Sequence, residues 1–216
     1  MSDRNLPQRK NFGRSLGLSH DHASLLARLN TPHKIQDYLD SLGINFEPDG
    51  DTCYGVAHSL STGKAHCIEA AFIAACALWM AGEKPLVMDF QADKDYDHVV
   101  ALYKYKGHWG AISKSNHIWL RWRDPVYRTL RELALSYFHE YVTGPRKTLR
   151  TYSAPYNMSR VPPEQWITNN DSCFEVAGLI DSGKHYQLVP NTHIKMLRAR
   201  DALELKAGRL VEHERT

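Results

Sequence analysis

The chain has 216 residues, of which 43% are hydrophobic and 24% are charged, and its formal net charge is +3. This composition excludes collagen-like, coiled-coil and disordered chains, and the length favours a single domain. The charge is too mild to argue for a nucleic-acid partner.

The cysteines stand at positions 53, 67, 76 and 173, with no Cys-x-x-Cys pair. They are too few and too scattered for a secreted disulfide scaffold or a zinc knuckle, so we expect reduced thiols in a cytoplasmic protein. The longest apolar run, residues 70–81, is shorter than the roughly 18–20 residues that cross a bilayer, so no membrane segment is expected. The polar N-terminus does not have the pattern of a secretory signal.

Residues 1–30 carry little apolar periodicity and predict a flexible N-terminal arm. The first clear helix follows, with Thr31 as its N-cap and Gly43 at its end. Residues 54–60 fit either a short strand or a loop.

The most apolar segment, residues 67–81, is rich in alanine and predicts a central buried helix that ends at Gly82. Residues 85–90 predict a short apolar strand. Residues 98–105 and 108–113 flank a Lys-Gly pair and predict a hairpin with a tight turn.

An apolar stripe over residues 124–141 predicts a third long helix, capped by its first residue. Residues 146–163 are basic and interrupted by proline, which indicates an irregular loop. A shorter helix is expected over residues 171–180. Residues 192–216 show neither the helical nor the strand periodicity of apolar residues.

These elements predict an α+β fold, with the central helix packed on an antiparallel sheet of about three to five strands. The helices at 31–42 and 124–141 would cover the sheet. We expect one domain over residues 31–190, and a C-terminal tail over 191–216 that packs on the domain or extends from it.

The strongest functional signal is Cys67 at the start of the buried helix. A helix N-terminus presents unpaired N–H groups and a partial positive charge, and both favour the nucleophilic thiolate. His98, at the start of a strand, is the candidate partner that would form an ion pair with the thiolate and protonate a leaving group.

The order of these pieces is informative. A glycine-containing turn at Gly63 precedes Cys67, the small-residue helix ends at Gly82, and an Asp-His pair ending at His98 leads into a hairpin that carries Trp109. This arrangement resembles the transglutaminase-like superfamily of papain-type cysteine enzymes over roughly a quarter of the chain. The resemblance implies a papain-like core and a Cys-His pair that attacks an amide bond.

The family's third residue, an aspartate, falls on Ser113. A serine can orient the imidazole but supplies no charge to stabilise it. The nearby Asn116 is an equal candidate, because asparagine takes this role in papain-like enzymes. The third alternative is a weakened or inactive site.

Other candidates are assigned structural roles. Cys53, Cys76 and Cys173 are interpreted as core residues. His66 adjoins Cys67 and is left unassigned, because adjacent side chains point in different directions. Two histidines at positions 20 and 22 and three aspartates between 93 and 97 do not form a ligand set, so no metal and no cofactor are expected.

The leading hypothesis is a hydrolase or acyltransferase that acts on an amide bond of a peptide or protein through a Cys67 thioester. The alternative is a catalytically degenerate binding protein on the same fold. A weaker one is a nucleic-acid module that uses the basic and aromatic residues between 119 and 160, where a solvated basic face is the simpler interpretation. The oligomeric state stays open.

Overall fold

A computed structural model describes residues 4–48 and 50–213. Within these ranges the α-helices are α1 Leu6–Ser15, α2 His20–Arg28, α3 Pro32–Ser41, α4 Val56–Thr62, α5 Cys67–Ala81, α6 Leu130–Leu135, α7 Pro163–Trp166, α8 Phe174–Asp181 and α9 Ala202–Ala207. Short 3-10 helices cover Ile118–Leu120, Met158–Arg160 and Asn191–Met196. None of the helices in the described ranges has the length and apolar character that a membrane span requires.

The strands are β1 Gly43–Ile44, β2 Lys64–Ala65, β3 Leu86–Ala92, β4 His98–Tyr105, β5 His108–Ile112, β6 Arg123–Tyr127, β7 Val142–Thr143, β8 Arg146–Lys147, β9 Leu149–Ser153, β10 Tyr156–Asn157 and β11 His185–Gln187. The main sheet is antiparallel, with the order β11-β9-β3-β4-β5-β6, and β10 pairs with β3. The fold is therefore mixed α and β, as predicted, but the sheet has seven strands rather than three to five.

Strand β4 is buried on both faces because each face meets its own core. Val99, Ala101 and Tyr103 belong to the core that contains α5, and Val100 and Leu102 belong to a second core on the opposite face. This double burial explains why the sequence of β4 is continuously apolar rather than alternating. Helix α5 itself is buried along nearly its whole length, as its composition predicted.

The prediction of a flexible arm over residues 1–30 is wrong for the described part of that segment. Helix α1 begins at the N-cap Asn5 and α2 at the N-cap Ser19, and both helices pack against α5. Gly13 lies so close to Met80 of α5 that a Cβ atom there would meet the methionine methyl at 2.6 Å. The close approach at Gly13, together with the packing of Phe12 against the core, therefore positions α1 on α5.

The prediction of one long helix over residues 124–141 is also wrong. Residues 123–127 form the edge strand β6, where Pro125 is tolerated because an edge strand does not need every N–H group. The helix begins only after Thr129, whose hydroxyl accepts the backbone N–H of Glu132. The N-cap of this helix is therefore Thr129 and not Asp124, which the sequence suggested.

Three other segments differ from expectation. Residues 54–60, expected as a strand or loop, lie largely in helix α4, which ends at Gly63 in the left-handed conformation (φ 66°). The expected loop at 146–163 contains β9, a strand of the main sheet, because pairing with β3 overrides its mixed local pattern. The helix expected at 171–180 starts slightly later, as α8.

Candidate active site

Cys67 is the first residue of α5 and is partly exposed to a cleft of about 1060 Å³. Its predecessor His66 is the N-cap of the helix and has an extended backbone (φ −100°, ψ −169°). The change from extended to helical backbone turns the two neighbouring side chains toward each other, and His66 Nδ1 lies 3.9 Å from Cys67 Sγ. The thiol therefore sits beside an imidazole and at the positive end of a helix.

His98 is the second imidazole at this thiol. It is the first residue of β4, it is buried, and its interaction with Cys67 lowers the pKa of that thiol. The other ring nitrogen, Nε2, lies 2.7 Å from the Ser113 hydroxyl and 3.0 Å from the Leu120 carbonyl oxygen. Since both of these neighbours lie at Nε2, Nδ1 is the atom left for the sulfur.

The Leu120 carbonyl decides the tautomer of His98. A carbonyl oxygen only accepts hydrogen bonds, so Nε2 carries the proton and Nδ1 is unprotonated in the neutral ring. The Ser113 hydroxyl contacts the same carbonyl at 3.2 Å, as a donor, and its oxygen still accepts from Nε2. A pair of uncharged oxygens, from a hydroxyl and a carbonyl, thus orients the imidazole.

Asn116, the other candidate for this role, is not brought to His98. Its side chain pairs instead with the backbone of His213, donating to the carbonyl oxygen and accepting from the N–H, each at 2.9 Å. Asn116 does line the cleft that contains Cys67. The structure therefore separates the two residues that the sequence left as equals.

Helix α3 supports the Ser113 position. The buried Gln36 amide accepts the backbone N–H of Ser113 at 3.1 Å and donates to its carbonyl oxygen at 2.9 Å. The buried Lys114 ammonium donates to the carbonyl oxygens of Leu39 and Leu42 at the end of α3. These contacts fix the strand end on which the His98 partner stands.

A buried carboxylate, Glu69, organises the other side of the thiol. Its oxygens accept the backbone N–H groups of His66 and Tyr54, both at 3.0 Å, and it is fully buried. His66 Nε2 lies 3.4 Å from Glu69 and 3.5 Å from the partly exposed Glu47. A buried carboxylate with so many donors stays charged and favours the imidazolium form of His66.

The electrostatics make Cys67 unlike an ordinary thiol. Burial by itself raises its pKa, but the hydrogen bonds and positive charges of His66 and His98 lower the pKa well below the usual value. Burial works against the charged form of His66, yet its hydrogen bonds to Cys67 and Glu69 raise the pKa to about 11. The opposing effects favour a thiolate–imidazolium pair.

The remaining thiols behave in the opposite way. All four cysteines lie in the described ranges and are free, and Cys53, Cys76 and Cys173 are buried. Burial raises the pKa of Cys76 to about 12 and that of Cys173 to about 11, and raises the pKa of Cys53 further. Among the cysteines, the nucleophilic form is therefore favoured at Cys67.

The cleft is strongly acidic. Besides Glu47, the carboxylates along it are Asp51, Asp89, Asp95, Asp97, Glu140 and Asp181. The acidic loop before His98 thus borders the cleft. Three of these groups, Asp89, Asp97 and Asp181, bring one oxygen each to within 4.8 Å of one another and form the group of described residues best arranged to hold a cation.

Asp89 supports a pH prediction. Burial raises its pKa to about 6, although the hydrogen bond from His185 at 3.1 Å lowers it. The Asp89 carboxyl therefore keeps its proton to a higher pH in the folded chain than in the unfolded chain. The stabilisation that this protonated carboxyl contributes is complete below about pH 4 and is lost as the pH rises through about 6. The loss amounts to about 3 kcal/mol.

The free energy of unfolding of Asp89→Asn, relative to that of the unsubstituted chain, should increase by about 3 kcal/mol from pH 4 to pH 7, because the amide has no proton to lose. Urea unfolding at the two pH values measures the difference. The exposed Asp37→Asn serves as the control and should show no such trend. Parallel pH dependences of Asp89→Asn and the unsubstituted chain would refute the effect.

Sequence reasoning missed His66, Glu69, Gln36 and Leu120. The sequence does mark His66 and Glu69. Their spacing is that of an N-cap residue and the N3 glutamate that accepts its backbone N–H, and Glu69 is the sole charged residue in an apolar helix. The contributions of Gln36 and the Leu120 carbonyl depend on long-range packing, and no local pattern marks them.

Two of the basic residues between 119 and 160 have well-defined side-chain contacts within the chain. Arg123 donates to the carbonyl oxygens of Trp119, Trp122 and Ser136, and its guanidinium lies 3.9 Å from the centroid of the Tyr137 ring. Arg150 pairs with Asp93 at 3.4 Å. These arginines have structural contacts that account for their positions.

Comparison with protein-family models gives no match, and neither does comparison with curated proteins. Among solved structures, Legionella pneumophila LapG matches with a TM-score of 0.36 and 11% sequence identity, over 52% of this chain and 74% of that chain. A likeness at this level supports no inference about function. The geometry around Cys67 is the observation that bears on it.

Proposed function

We propose that the protein is a cysteine hydrolase or acyltransferase with a transglutaminase-like, papain-type core, acting on an amide bond of a peptide or protein. One observation carries the proposal. The Cys67 thiol lies at a helix N-terminus between two imidazoles, and the far nitrogen of His98 is anchored so that its other nitrogen serves the sulfur. An inert buried cysteine needs none of these contacts.

The chemistry follows from the two imidazoles. The Cys67 thiolate attacks the amide carbonyl carbon, and the C–S bond forms as the carbonyl electrons move to oxygen. First-turn N–H groups of α5, which have no partner within the helix, would stabilise that oxyanion. His98, which starts the cycle as the imidazolium, then gives its Nδ1 proton to the departing nitrogen, the C–N bond breaks, and a thioester remains on Cys67.

The second half returns the enzyme to its starting state. Water or an acceptor amine gives a proton to His98 Nδ1 and attacks the thioester carbon, and the C–S bond breaks to restore the thiolate. His66 does not need to exchange protons in this cycle. Its raised pKa keeps it as an imidazolium that stabilises the thiolate between turnovers.

The proposal is tested with p-nitrophenyl acetate, an activated ester that needs no knowledge of the natural substrate. We expect a burst of p-nitrophenolate, an acetyl group on Cys67 detected by peptide mass spectrometry, and slow hydrolysis of that thioester. In His98→Ala the turnover rate should fall by roughly 10²–10⁴, the usual contribution of a positioned general acid–base.

His108→Ala is the matched control, because His108 is the first residue of β5, contacts the Lys106 carbonyl oxygen and has no part in the site. It should turn over the ester like the unsubstituted chain. Acetylation that persists at the same rate in Cys67→Ala would contradict the proposal.

The alternative is a catalytically degenerate binding protein on the same fold. Ser113 in place of an acid is the observation that favours it, since a hydroxyl and a carbonyl bring no negative charge to His98. In that case Cys67 would be acetylated without turnover, and the acetyl-thioester would persist in both the unsubstituted chain and His98→Ala.

A further inference from the structure

A short segment, residues 211–213, lies beside the chain that leaves the Ser113 strand. Val211 forms an antiparallel bridge with His117, and the N–H of Glu212 donates to the carbonyl oxygen of Asn116 at 3.0 Å. Val211 and His213 line the same cleft as Cys67. The segment therefore lies beside the candidate active site and is joined to residues 116–117 by backbone contacts.

Asn116 holds this segment through main-chain atoms alone. Its side-chain oxygen accepts the N–H of His213 and its side-chain nitrogen donates to the carbonyl oxygen of the same residue, both at 2.9 Å. A carboxamide that pairs with both polar groups of one residue binds any extended backbone, whatever side chain that residue carries. This contact suits recognition of a peptide.

Arg121 adds a side-chain contact. Its guanidinium pairs with the Glu212 carboxylate at 2.5 Å, and its Nε donates to the Ser115 carbonyl oxygen at 2.8 Å, which fixes its direction. Asp40 lies 3.7 Å from the same guanidinium and is partly exposed. An arginine held in this way favours an acidic side chain at the position that Glu212 occupies.

We propose that residues 115–117 together with Arg121 form a docking edge for an extended peptide that carries an acidic residue, and that the chain's own residues 211–213 occupy this edge as an intramolecular competitor. That the docked peptide is part of a substrate rests on the proposed function. The docking itself does not, since it uses no group that reacts.

The size of the competition can be set in advance. A tethered segment has an effective concentration of about 1 mM. Suppose that the same segment, as a separate peptide, binds the edge with a Kd of about 0.1 mM. The tethered segment then occupies the edge about nine-tenths of the time and weakens the binding of any other peptide about tenfold. Releasing the segment should therefore tighten peptide binding by about that factor.

The test uses the full chain in two forms, unsubstituted and with the paired changes Glu212→Ala and His213→Pro. The first change removes the contact to Arg121, and the second removes the N–H that donates to Asn116. The probe is a fluorescein-labelled synthetic peptide that copies residues 207–213, and binding is followed by fluorescence anisotropy. We expect the released chain to bind it about tenfold more tightly than the unsubstituted chain.

Two further measurements locate the site. Adding Asn116→Ala to the released chain should abolish binding, and a peptide with lysine in place of the glutamate should bind at least tenfold more weakly. Equal binding by the released and unsubstituted chains, or binding that survives Asn116→Ala, overturns the proposal. A thermal unfolding curve that matches the unsubstituted chain verifies that the variants are folded.

Failure of docking and failure of the proposed chemistry can be told apart. If Cys67 of the released chain still forms and hydrolyses its acetyl-thioester but no labelled peptide binds, the docking edge is wrong and the thiol chemistry stands. If the peptide binds but Cys67 does not turn over, the docking edge stands and the proposed function fails.

Discussion

Glu69→Gln is expected to lower the free energy of unfolding by about 3 kcal/mol, because it breaks a fully buried charged network at its centre. One carboxylate oxygen accepts the N–H of Tyr54 and the other accepts the N–H of His66. An amide offers only one acceptor oxygen, so its NH₂ group must face one of these donors. That donor then loses its partner in a place that water does not reach.

The same substitution should slow the reaction of Cys67 with iodoacetamide at pH 6 by about tenfold. Glu69 is one of the causes that raise the pKa of His66, and His66 in turn lowers the pKa of Cys67. Without the carboxylate the imidazolium is less favoured and the thiolate loses part of its support. Urea unfolding and alkylation rates followed by mass spectrometry measure the two effects.

Glu47→Gln is the matched control, since Glu47 lies 3.5 Å from the same His66 nitrogen but is partly exposed to solvent. We expect it to cost below about 1 kcal/mol, as is usual for an exposed pair. Unfolding of Glu69→Gln at the same urea concentration as the unsubstituted chain would show that Glu69 does not organise the site.

The elements that the sequence predicted correctly are those whose signals are local. Helix α5 begins at Cys67 and ends at Gly82, which has the left-handed backbone (φ 95°) that the C-cap pattern requires. The β4–β5 hairpin has a short turn, and its register pairs Ala101 with Ile112. That register makes Ser113 a diagonal neighbour of His98, so spacing along the chain was enough to bring the two together.

The elements that were missed depend on distant partners. Strand β9 is stabilised by pairing with β3, about sixty residues earlier in the chain, and its own residues alternate poorly. Helix α1 lies close to α5 at Gly13, a contact that no hydrophobic periodicity predicts. Propensity and pattern describe a segment's own preference, whereas these segments take the structure that their neighbours impose.

The candidate site divides in the same way. Cys67 and His98 stand at the first residue of a helix and of a strand, and such positions can be read from sequence. The groups that set their chemistry, apart from the neighbouring His66 and Glu69, are contributed by tertiary contacts. The Leu120 carbonyl that fixes the tautomer is a backbone atom, and any residue at that position would supply it.

In the double variant His66→Ala, His98→Ala, the reaction of Cys67 with iodoacetamide at pH 6 should be slower on the order of a hundredfold. With both imidazoles gone, the burial that raises the pKa of Cys67 is opposed only by the helix N-terminus. The thiol then ionises near or above the usual 8.5, and its reaction rate rises about tenfold per pH unit up to that point. In the unsubstituted chain the lowered pKa of Cys67 should make the rate change much less between pH 6 and pH 8.

The single variants assign the two histidines their separate roles. His66→Ala should lose part of the reactivity at pH 6 but keep turnover of p-nitrophenyl acetate, because His98 still transfers protons. In His98→Ala the turnover rate of p-nitrophenyl acetate should fall by a larger factor than the rate at which iodoacetamide alkylates Cys67. His108→Ala should match the unsubstituted chain in both assays. A double variant whose profile stays flat down to pH 6 would mean that the helix N-terminus alone stabilises the thiolate, and that neither imidazole lowers the pKa of Cys67.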